Sequence, residues 1–158
     1  MTLQMWATFM VGHPDAERKE EPLIDPTLPF RKILEAMQLA GVEPDDKPHH
    51  LLFFISYPEE DLVREAAQFL DRAHERAFGR HRPGGGTVRR IAERTWQLII
   101  GAHMALEPEV FDPMETVART LAEMFGGTYQ GWRDETGFAG GEAVQQALRL
   151  MATEGGKA

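Results

Sequence analysis

Gly126-Gly127-Thr128-Tyr129-Gln130-Gly131-Trp132 is the stretch on which the fold turns. Two adjacent glycines end the helix before them, because glycine takes the backbone angles of a helix C-terminus without steric penalty. Thr128, Tyr129 and Trp132 then favour a strand. Tyr129 and Trp132 stand three apart, so flat alternation sends them to opposite faces. A bulge at Gly131 instead brings both to one face, since glycine permits the required angles. The apolar area of two such aromatics favours core packing over direct contact with a partner.

Working back from this strand, Asp112-Pro113-Met114-Glu115 reads as a helix start, with a capping aspartate, a first-position proline and a glutamate three residues on. Val117, Ala118, Leu121, Ala122, Met124 and Phe125 form its predicted buried stripe. Residues 96–106 alternate, with Trp96, Leu98, Ile100, Ala102, Met104 and Leu106 on one face and Gln97, Ile99, Gly101 and His103 on the other. Residues 87–92 are a short strand after the loop Pro83-Gly84-Gly85-Gly86. Residues 49–56 are apolar on both faces (Leu51, Phe53, Ile55; Leu52, Phe54), the mark of a central strand covered twice. Ser56-Tyr57-Pro58-Glu59-Glu60 opens a long helix with a hydroxyl cap and early acids. Its predicted stripe is Leu62, Ala66, Phe69, Leu70, Ala73 and Ala77.

The order strand, helix, strand, strand, helix, strand is that of an α+β, ferredoxin-like split βαβ fold, an antiparallel sheet with both helices on one face. A short helix over residues 29–40 (Phe30, Ile33, Leu34, Met37) precedes it. Residues 2–11 alternate as an additional N-terminal strand, and residues 12–28, with Pro14, Pro22 and Pro26, read as an exposed connector. A last amphipathic helix spans 141–152. The expected organisation is therefore residues 1–28 as strand and connector, 29–135 as the α+β domain and 136–158 as helix and tail, all in one compact domain. The second sheet face, with Leu52, Phe54 and Ile99, is too apolar to stay wet. The C-terminal helix is the first cover expected there, and a symmetric partner, giving a homodimer, the second.

The 158 residues suffice for one core. There is no cysteine, which excludes disulfides and thiol catalysis and fits a cytoplasmic protein. The longest apolar run, residues 51–55, is far too short to span a membrane. The net charge of −8 opposes broad nucleic-acid binding and suits a basic partner. Charge is uneven, however. Between residues 71 and 94 seven arginines, among them Arg76, Arg80, Arg89 and Arg90, face Asp71, Glu75 and Glu93. This is either a solvated helix end and hairpin or a docking patch for an acidic peptide or RNA.

No catalytic constellation emerges. His49, His50 and His103 lack helical ligand spacing, and adjacent strand histidines diverge, so no metal site is expected. The glycines at 84–86 follow a helix rather than open one, which is wrong for a phosphate loop. Asp134 and Glu135 are neighbours whose side chains diverge, with no base or nucleophile placed beside them. No cofactor is expected.

Three segments resemble the RraB-like family of regulators of ribonuclease E activity. They are Ile33-Leu34-Glu35-Ala36-Met37 through Gly41, Pro44-Asp45 and His49-His50; then Ser56-Tyr57-Pro58-Glu59-Glu60-Asp61; then Tyr129-Gln130-Gly131-Trp132, which is similar to the family's Tyr-Asp-Gly-Trp motif with Gln130 in place of aspartate. The long acidic tail of well-known members is absent. The resemblance implies a non-catalytic regulator that binds ribonuclease E and dampens RNA turnover, with Tyr129, Gly131 and Trp132 as candidate contacts and the arginine patch as a second surface. An immunity or antitoxin-type protein that neutralises a basic toxin is the alternative class. A small enzyme is the third.

Overall fold

The computed structural model describes residues 23–42, 49–78, 86–135 and 141–155. The expected strand at 2–11, most of the connector, Arg80 and Arg82 lie outside these. Helix α1 spans Phe30–Leu39, strand β1 His49–Tyr57, α2 Glu60–Phe78, β2 Gly86–Ala92, β3 Thr95–Met104, α3 Pro108–Met124, β4 Thr128–Asp134 and α4 Glu142–Gly155. The four strands form one antiparallel sheet in the order β2-β3-β1-β4. The strand whose residues are apolar on both faces, β1, is central, as its composition requires.

One sheet face carries Leu51, Phe53, Ile55, Leu98, Ile100 and Trp132, and these share a single core with α2 (Val63, Ala66, Ala67, Leu70) and α3 (Phe111, Ala118, Leu121, Ala122). Helix α1 buries Phe30, Ile33, Ala36 and Met37 against the same core. Phe30 and Phe111 stack at 4.0 Å. Helix α4 packs on α1 and contributes Val144 and Ala147 to this core. It does not cover the second face, as the sequence reading expected. There Leu52, Phe54 and Ile99 cluster with Leu23. Dimerisation through that face finds no support in these contacts, because Leu23 already occupies part of it.

The helix limits differ from the sequence reading. Ser56 is still strand, and Tyr57 is buried with its hydroxyl donating to the Leu121 carbonyl at 2.9 Å. Helix α2 therefore begins only at Glu60, where Glu60 and Asp61 face the positive end of its dipole. Helix α3 begins at Pro108, not at Asp112, and Pro113 lies inside it. Pro108 supplies the first-turn proline, and the earlier start carries Phe111 into the core, which outweighs the one backbone donor that Pro113 lacks. Phe69, Val117 and Met124, all assigned to buried stripes, are exposed, whereas Val63, Ala67 and Phe111 are buried.

Candidate functional site

The glycine-aromatic stretch joins α3 to β4. Gly126 has φ +74° just past the helix, and the Gly127 amide donates back to the Ala122 carbonyl at 2.7 Å, closing the helix end. A side chain on Gly127 would meet the Ser56 carbonyl oxygen at 2.6 Å, so α3 and β1 can approach only because none is there.

The expected bulge is present. Phe54 pairs with Gly131 but Ile55 pairs with Tyr129, so Gln130 is the extra residue. Tyr129 and Trp132 therefore share the core face, at 8% and 0% exposure. Trp132 lies 4.8 Å from Phe111 and 5.9 Å from Phe30, and its indole N–H has no hydrogen-bond partner among the described residues. Gly131 has φ +118°, and a Cβ on it would overlap the Ile24 carbonyl oxygen. That close approach exists because Ile24 bridges to β4, its amide donating to the Trp132 carbonyl at 2.8 Å. Leu23 goes to the second face and Ile24 to the core, so the chain here caps the β4 edge from both sides.

Around Tyr129 a polar network ties β4 to α3. Its hydroxyl donates to Glu115 Oε2 at 2.9 Å, Arg119 lies 4.8 Å above its ring, and Arg119 Nη2 donates to the Pro26 carbonyl. Burial pushes the Tyr129 hydroxyl well above its ordinary range, helped by the Glu115 charge, so it stays a donor at neutral pH. Burial also raises the Glu115 carboxyl, against the lowering pull of Tyr129 and Arg119. The group is a structural tie rather than an acid–base pair.

On the outer face a polar row crosses the sheet. Arg89 Nε donates to Gln97 Oε1 at 2.7 Å, and Gln97 Nε2 donates to Gln130 Oε1 at 2.7 Å. Arg133 lies 5.3 Å over the Phe54 ring and pairs with Glu135 at 2.7 Å. His50 and His103 stack at 4.5 Å. Burial lowers the His50 imidazole, with His103 adding to the effect and Glu135 and Asp134 opposing it. His49 points the other way, as strand alternation requires, and its Nδ1 lies 3.2 Å from Asp134 Oδ2 in a buried pair. Asp134 and Glu135 thus diverge. Among the described residues no group of three acids or histidines is arranged to hold a metal ion.

The arginines do not form one patch. Leu70 of α2 lies beside Gly86 at the start of β2. From there Arg76 is about 9 Å further along the helix, and Arg89 and Arg90 are about 10–13 Å along the strand in the opposite direction. Arg90 folds onto the Ala92 and Glu93 carbonyls and the Trp96 ring. The sequence alone did not indicate Ile24, Arg119, Gln97 or the His49–Asp134 pair. Their partners are distant along the chain, and only Glu115 carried a signal, as a helix-start residue.

No helix among the described residues is long and apolar enough to cross a membrane. No curated protein and no solved structure matches the chain significantly. A family model described as regulator of ribonuclease activity B does match, over residues 30–133, from the first residue of α1 almost to the end of β4. The strands, the two sheet-packing helices and the Tyr-Gln-Gly-Trp bulge all fall within that match, and the chain belongs to the RraB family.

Proposed function

We propose that this chain docks on ribonuclease E in the cytoplasm and dampens RNA turnover through that contact. Family membership makes it a non-catalytic regulator of ribonuclease E activity, and the match through residues 30–133 is the observation that carries the reading. We read the sheet order and its two connecting helices as a ferredoxin-like split βαβ domain spanning residues 29–135, with 1–28 and 136–158 as additions.

Tyr129, Gly131 and Trp132 serve the partner contact by shaping β4. With both aromatics turned inward, the bulge presents Gln130 and Arg133 on the outer face, where Arg89 completes a polar row. Arg89 and Arg90 supply a charged contact on β2, and Arg76 a separate one at the far end of α2. Calorimetric titration with purified ribonuclease E tests the reading, alongside cleavage of a model RNA. Binding at micromolar concentration or tighter and slower cleavage are expected. No heat of binding at that concentration, with cleavage unchanged, would overturn it.

A further inference from the structure

Three exposed apolar side chains sit on α3 at intervals of seven residues: Val110 at 42%, Val117 at 40% and Met124 at 53% exposure. Seven residues fall only about 20° short of two helical turns, so the three share one line roughly 21 Å long. This is the spacing of a coiled-coil seam. Around the helix, Leu121 and Ala118 turn into the core, and Glu115 and Arg119 turn toward Tyr129 and Pro26 at the β4 edge. The line therefore lies on the side of α3 that faces α2. There Phe69 of α2, itself 45% exposed, meets Phe125 edge-on at 5.9 Å. The result is an apolar trough between α2 and α3. A row so ordered is rarely left wet on a surface without a partner.

Charge decides what fits. The outer flank of the row carries Glu109, Asp112 and Glu123, all exposed and none ion-paired among the described residues. The whole chain is acidic, at −8. A second copy placed on this trough would set the same acids against one another, which costs affinity. We infer that the trough receives an amphipathic helix of the partner, with apolar residues at seven-residue spacing and lysines or arginines along its flank. The inference rests on the ribonuclease E reading, because ribonuclease E is taken to supply that helix.

The test titrates purified ribonuclease E into the full chain and into Val117→Asp/Met124→Asp. Both positions are already exposed, so circular dichroism should match the wild type while affinity falls at least about tenfold. Glu109→Lys/Asp112→Lys/Glu123→Lys should weaken binding and flatten its salt dependence. Leu150→Asp, on exposed α4 surface, should change neither. Wild-type binding that Val117→Asp/Met124→Asp leaves intact overturns the trough but spares the regulator reading. A wild type that does not bind overturns both. A wild-type dimer in sedimentation that the double aspartate variant dissociates would give the trough to a second copy, and the inference would fail.

Discussion

Gly131→Ala tests the central geometry of β4. The position has φ +118°, where an L residue is strained by about 1–3 kcal/mol. The new methyl would also overlap the Ile24 carbonyl oxygen, which is backbone and cannot rotate away. Ile24 must then lift off. That breaks its amide bond to Trp132, contributing about 1 kcal/mol. It also exposes a side chain now 2% accessible, for about 1.5–3 kcal/mol more. The sum, roughly 4–6 kcal/mol, is a large part of the 5–15 kcal/mol typical of a domain. Urea unfolding followed by circular dichroism measures the loss. Amide exchange at Ile24 should quicken in the same variant. Gly126→Ala is the control: its φ is +74°, but nothing lies within 4 Å of the added carbon. It should lose only about 1 kcal/mol. Equal losses at the two positions would refute the steric argument.

Trp132→Ala should destabilise by about 3–5 kcal/mol, whereas Trp132→Phe should lose clearly less, since it also removes a buried indole N–H that has no partner among the described residues; chemical denaturation of the pair measures the difference. Asp134→Ala removes the carboxylate beside buried His49 and should lower stability by about 3 kcal/mol, read from thermal melts. Glu115 titrates above its ordinary value of 4.5 in the fold, so the folded state holds its proton longer and stability declines as pH rises through that window. Glu115→Gln should flatten this decline in urea midpoints taken across pH. His50 has the opposite linkage: its folded value lies below 6.5, so its contribution is present above 6.5 and lost as pH falls beneath it. His50→Gln should blunt that acid loss, and an unchanged profile would count against the stacked pair as its source.

Period-two patterning located β1 and β3, and Gly131 between two aromatics announced the bulge, because these signals are local. Helix faces were less legible. Val117 and Met124 are apolar and fall near Leu121 on the helix, so periodicity alone places them inside. Only the position of α2 shows that this side of α3 stays open. The start of α3 was misplaced because Asp112-Pro113 is a good cap by itself, and nothing local reveals that Phe111 must reach Phe30 and Trp132. The proline-rich stretch around Pro26 reads as connector. Its two apolar residues, Leu23 and Ile24, gain meaning only when β4 lies beside them. The same holds for Arg119 with Pro26 and for His49 with Asp134, whose pairing depends on tertiary approach.

The family match begins at residue 30, yet Ile24 is already core and Val144 and Ala147 close it from the other end. The cooperative unit is therefore longer than the homologous segment. A fragment trimmed to residues 30–133 would leave the outer hydrogen-bonding rim of its last strand bare and strip α1 of its neighbour. It would be less stable and prone to self-association through that rim. Any assay of regulation on such a fragment would report the injury rather than the regulator.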